Sequence, residues 1–95
     1  MNNTLATKLW KMELKLIGHN MPLIRVFIIL RKFRVGIEKI DVKRLNDNHW
    51  KASFLLDLSL SPRTDTVFKK VSMLYDVAAV KYKNTHEHKT HIILK

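Results

Sequence analysis

Three histidines near the C-terminal end, His86-x-His88-x-x-His91, come nearest to a metal-binding arrangement in this chain. Imidazoles bind first-row metals, but a helical site needs an i, i+4 pair, and zinc signatures set histidines against cysteines or carboxylates at defined spacings. Here Glu87 is the only carboxylate within the group, so the segment reads as a solvated tail. His19 differs in position. It lies in a loop before a helix start, where outward-facing backbone N–H groups favour anions. The carboxylates Glu13, Glu38, Asp41, Asp47, Asp57, Asp65, Asp76 and Glu87 form no pair that must converge, which leaves general acid–base chemistry nothing to build on. Ser53, Ser59, Ser61 and Ser72 lack the glycines of a nucleophile elbow, and no glycine-rich loop could cradle a phosphate, since Gly18 and Gly36 are the only 2 glycines. With 0 cysteines, disulfides, thiolate catalysis and cysteine-based zinc sites are excluded as well. The reading is of a chain that is not an enzyme and has no metal site or cofactor of its own.

The elements that would position any site follow from periodicity. Trp10, Met12, Leu14 and Leu16 alternate with Lys11, Glu13 and Lys15, the pattern of a half-buried strand. Asn20 offers an N-cap and Pro22 a first-turn residue for a helix over 21–34. Its Leu23, Val26, Phe27 and Leu30 recur at i, i+3, i+4, i+7; Arg31, Lys32 and Arg34 sit where the helix dipole favours cations, and Gly36 is placed as the stop. A strand over 37–45, a turn at Asn46-Asp47-Asn48 and a strand over 49–60 make a hairpin. Ser61-Pro62 repeats the cap-then-proline start for a helix over 63–75, and a strand over 77–82 follows. The expected fold is α+β: a ferredoxin-like βαββαβ sandwich, with a four-stranded antiparallel sheet and two helices on one face. The boundaries read as a flexible N-terminus over 1–9, one domain over 10–83 and a tail over 84–95.

The 95 residues suit one domain, and 46% apolar against 27% charged residues is a globular composition. The longest apolar run, Met21 to Leu30, contains Pro22 and Arg25 and is too short to span a bilayer; no signal-type apolar segment follows the start. A cytoplasmic protein without a membrane partner is expected. The net charge of +10 raises the question of an anionic partner, but the cations are scattered in groups of two or three. RNA-binding domains of this strand order stack bases on aromatics of the open sheet face. Here Trp50 and Phe54 fall on the core side, opposite Lys51, Ser53, Leu55 and Asp57. A basic nucleic-acid-binding module is thus the alternative, not the first reading. The apolar surplus speaks for protein partners: Ile24, Ile28 and Ile29 on the first helix and Leu55 on the outer face are candidate interface residues.

Two stretches resemble the ACT-domain family, and within it the short, single-domain small regulatory subunits of acetohydroxyacid synthase (acetolactate synthase). One runs from Leu23-Ile24-Arg25-Val26 through Phe33-Arg34-Val35-Gly36-Ile37. The other runs from Leu58-Ser59-Leu60-Ser61-Pro62-Arg63 through Val67-Phe68-Lys69-Lys70-Val71 to Leu74-Tyr75-Asp76-Val77-Ala78-Ala79-Val80. The resemblance implies a non-catalytic subunit that forms a homodimer. It would bind and activate a thiamine-diphosphate-dependent catalytic synthase subunit of branched-chain amino-acid biosynthesis. It also implies a small amino-acid effector near the loop after the first strand, at Gly18, His19, Asn20, Met21 and Ile37. That loop departs from the family's Asn-then-Gly pattern: Pro22 has no N–H, and Met21 adds bulk where close backbone approach would want glycine.

Overall fold

The computed structural model, which describes residues 8–61 and 63–95, realises the period-two alternation over 12–16 and 52–56, whereas the strand over 36–46 is exposed along nearly its whole length. The order is β1 (Leu9–Ile17), α1 (Ile24–Lys32), β2 (Gly36–Asn46), β3 (His49–Asp57), α2 (Thr64–Ser72), β4 (Val77–Asn84) and β5 (His91–Leu94). The sheet order is β2-β3-β1-β4-β5, and every neighbouring pair is antiparallel. This is the ferredoxin-like α+β arrangement with one strand more than expected. Residues 1–7 of the expected flexible N-terminus and Pro62 lie outside the described residues.

One sheet face is apolar and carries the helices. Met12, Leu14 and Leu16 of β1, Ala52, Phe54 and Leu56 of β3, and Val80 and Tyr82 of β4 are buried there against Val26 and Leu30 of α1 and Val67, Phe68 and Val71 of α2. Removing this much apolar surface from water is the main force for folding. At one end Phe68 stacks on Tyr82 at 4.1 Å between ring centroids, and Trp10 tilts against both.

Both helices are shorter than the periodicity predicts. Steric clash with a proline ring drives the preceding residue out of the helical region. Met21 before Pro22 is so placed, and α1 begins at Ile24 with Leu23 as N-cap; Asn20 does not cap it. The sequence places Ser61 likewise before Pro62, and α2 begins at Thr64. Nor is Gly36 the stop of α1. The helix closes on Arg34, a non-glycine residue at φ 58°, with Arg34 N–H donating to Arg31 O (3.1 Å) and Val35 N–H to Leu30 O (2.9 Å). Those two bonds are the paired closure of a Schellman end, and Gly36 opens β2 instead. The strand expected over 49–60 ends at Asp57, whose Oδ1 accepts the N–H of Ser59 at 2.8 Å and turns the chain.

The expected solvated tail contains β5. Ile93 pairs with Val80 and packs on the core, while His91 pairs with Tyr82 and stacks on its ring at 4.9 Å. His91 is therefore a packing residue at the end of the Trp10–Phe68–Tyr82 cluster. Among the described residues no group of three or more histidines, cysteines or carboxylates could hold a metal ion. No helix among them is long and apolar enough to cross a membrane.

Candidate functional site

The loop from β1 to α1 is tied down at its β1 end. Ile17 N–H donates to Asp76 O and Gly18 N–H to Asn48 O, both at 2.8 Å, and the Trp50 indole N–H donates to Gly18 O at 2.9 Å. Gly18 has φ 148°, a conformation that a side chain would strain. Beyond this anchor His19, Asn20 and Met21 are exposed. No side chain caps α1, and no acidic residue lies in its first turn, so its leading N–H groups have no carboxylate competitor from their own turn.

Arg25 lies one turn further on. Its guanidinium is 3.6 Å from Asp76 and lies over the Tyr75 ring at 4.6 Å. A cation, a carboxylate and a ring thus gather beside the loop. None stood out in the sequence, because fifty residues separate Arg25 from its partners and no local pattern joins them. At the sheet's other end, burial and then the charge of Asp65 push the Tyr82 hydroxyl above its ordinary value of 10.0.

The expected effector residues do not all meet within one chain. Gly18, His19, Asn20 and Met21 share the loop. Ile37 pairs with Leu56, whereas Gly18 bonds to Asn48. The eight residue steps from Asn48 to Leu56 set Ile37 about 25 Å away along the strands. The candidate interface residues also divide. Ile24 and Ile28 stand out from α1 at 73% and 59% exposure, Ile29 packs partly against the core, and Leu55 lies half-buried on the opposite face of the sheet.

Two further surfaces are open. β2 is an edge strand of 11 residues with no neighbour on its outer side among the described residues. Its Ile40 is exposed on the helix side and pairs with Phe54, against which Phe27 of α1 packs edge-on. Ile24, Phe27 and Ile40 thereby form an apolar ledge along the free edge. Among the described strand residues the helix-free face bears Lys11, Lys15, Lys51, Lys81 and Lys83 and, at the end of β3, the His49 imidazole, but no Trp, Tyr or Phe; Trp50 and Phe54 are on the helix side, with the Arg44 guanidinium 5.4 Å over Trp50.

No family model matches the chain, and no curated protein is similar to it in sequence. Among solved structures it is similar to the regulatory subunit of aspartate kinase from Thermus thermophilus, in its ligand-free form. The TM-score is 0.53 at 13% sequence identity, over 80% of this chain and 55% of that one. This chain therefore spans little more than half the length of that subunit. At this identity the likeness is one of fold: a regulatory subunit of a kinase carries the same α+β arrangement.

Proposed function

We propose that the chain is a regulatory subunit without catalysis of its own, which pairs with a second copy along β2 and activates a thiamine-diphosphate-dependent acetohydroxyacid synthase subunit of branched-chain amino-acid biosynthesis in the cytoplasm. The observation that carries the reading is the free β2 edge with its apolar ledge, set beside a loop anchored by Gly18. Unpaired edge strands invite pairing with another chain. The resemblance of residues 23–37 and 58–80 to synthase small subunits supports the choice of partner, and the fold shared with another enzyme's regulatory subunit is consistent with it.

Dimerisation would also reunite the divided effector residues. Antiparallel pairing of two β2 strands about their midpoint, Asp41, sets Ile37 of one copy opposite Leu45 of the other. Leu45 adjoins the strand end that leads through Asn48 to Gly18. A small amino acid held there would place its carboxylate at the α1 N-terminus. The test mixes the purified chain with the synthase catalytic subunit of its own cell and follows acetohydroxyacid formation. The expected result is a dimer, inactive alone, that raises synthase activity severalfold. A monomer without effect on the synthase overturns the reading. A rise in melting temperature with valine, leucine or isoleucine is the expected sign of the effector.

A further inference from the structure

The outer face of the sheet has a charge order that the sequence alone conceals. Cross-strand pairing sets Lys43 opposite Lys51 and Lys51 opposite Lys15, so three lysines stand side by side across β2, β3 and β1. Four residues along, Lys39 and Lys11 flank Leu55, and Lys11 faces Lys83 of β4. These two lysine rows lie about 14 Å apart. Between them runs a mixed row: Asp41, Ser53, Glu13 and Lys81. Like charges directly opposite one another on a sheet face are destabilising. Among the described residues Glu13 is the carboxylate in ion-pair contact with the first row, at 3.4 Å from Lys51. A depression of about 730 Å³ opens over the mixed row and the second lysine row.

We propose that this face is a docking surface for an acidic protein surface, its carboxylates distributed to match the two lysine rows, with Leu55 as an apolar contact within the second row. Charge complementarity selects that occupant. A second copy of the chain would bring lysines against lysines. A nucleic-acid strand would find no Trp, Tyr or Phe of the described strands to stack on, only the His49 imidazole beyond the first row, and its continuous phosphates would meet Asp41 and Glu13 in the middle row. Separate carboxylates can match the rows and spare the centre. The proposal rests on the reading of the chain as a subunit that docks on a catalytic partner, and it assigns that docking to the face opposite the helices. Repulsion within the rows destabilises the free subunit and is relieved on binding.

The test compares Lys15→Glu/Lys43→Glu with Lys69→Glu/Lys70→Glu, an equal charge change placed on α2. In the first variant Lys51 stands between two opposite charges, so the free protein should melt about 2–5 °C higher than the unaltered chain. Synthase activation by that variant should nevertheless require at least 30-fold more protein, since like-charge juxtaposition across an interface costs several kcal/mol. The α2 variant should activate at the concentrations of the unaltered chain. If both variants activate equally well, the docking face is wrong and the regulatory reading stands. If the unaltered chain itself leaves the synthase unchanged, the regulatory reading falls and takes this inference with it. A 20-nucleotide single strand bound by the unaltered chain and lost in the row variant, with activation intact, would reassign the face to phosphate. A row variant that melts lower than the unaltered chain overturns the account of the rows as strained.

Discussion

The two edges of the sheet are built oppositely. At one, β4 is covered by β5, whose Ile93 is packed on the core and whose His91 closes a ring stack. At the other, β2 runs for 11 residues with no outer neighbour among the described residues, and Ile37 and Ile40 are exposed along it. A sheet edge is blunted when its last strand is very short, and among the described residues β5 does this on one side only. The difference directs pairing: β4 is spent within the molecule, and β2 is left for another.

Breaking the covered edge should have the largest effect. Ile93→Asp places a charge against the core and should destabilise the fold by about 2 kcal/mol. Freeing β4 replaces an edge strand of 4 residues by one of 8, so size-exclusion chromatography should show species larger than a dimer. An unchanged size distribution would mean that β5 does not guard the edge. On the open side, Ile24→Glu alters a residue exposed in the single chain and should leave its unfolding free energy within about 0.5 kcal/mol. It should weaken self-association at least tenfold by analytical ultracentrifugation. Equal association would move the dimer contact away from the ledge.

The turn into β2 offers a smaller effect of opposite sign. Arg34 holds a left-handed conformation that glycine adopts without strain, so Arg34→Gly should stabilise by about 0.5–1 kcal/mol in urea unfolding. The smallest effect belongs to the covered side. The Tyr82 hydroxyl is raised by burial, so its neutral form is favoured in the folded state. Its contribution to stability is complete below the unfolded value near 10 and is lost as pH rises through the higher folded value. Tyr82→Phe should remove that part of the alkaline decline.

Much of the fold was legible in local pattern. The alternation of Trp10 to Leu16 and of Trp50 to Leu56 placed the inner face, and the i, i+3, i+4 spacing of Leu23 to Leu30 placed α1 over it. Helix starts were misplaced because a proline also constrains the residue before it, which the cap-and-proline reading of Asn20 and Pro22 overlooked. β5 was missed because four residues among histidines and lysines show no periodicity, and their pairing depends on Tyr82 and Val80, nine and 13 residues before their partners. The candidate site was less legible. The loop residues were found from their place before a helix, but Arg25, Tyr75 and Asp76 meet only through tertiary packing. The lysines that looked scattered along the chain form rows only when strands are set in register.

The bond from the Trp50 indole to the carbonyl of Gly18 gives the loop a built-in optical gauge. The emission of an indole responds to its hydrogen bond and to nearby charge. Trp50 is joined to the loop on one side and lies under the Arg44 guanidinium on the other. The other tryptophan, Trp10, sits in the ring cluster with Phe68 and Tyr82. With Trp10 replaced by phenylalanine, the remaining indole fluorescence, excited beyond the tyrosine band, comes from Trp50 alone. Occupancy of the loop could then be followed in real time without a label on the protein.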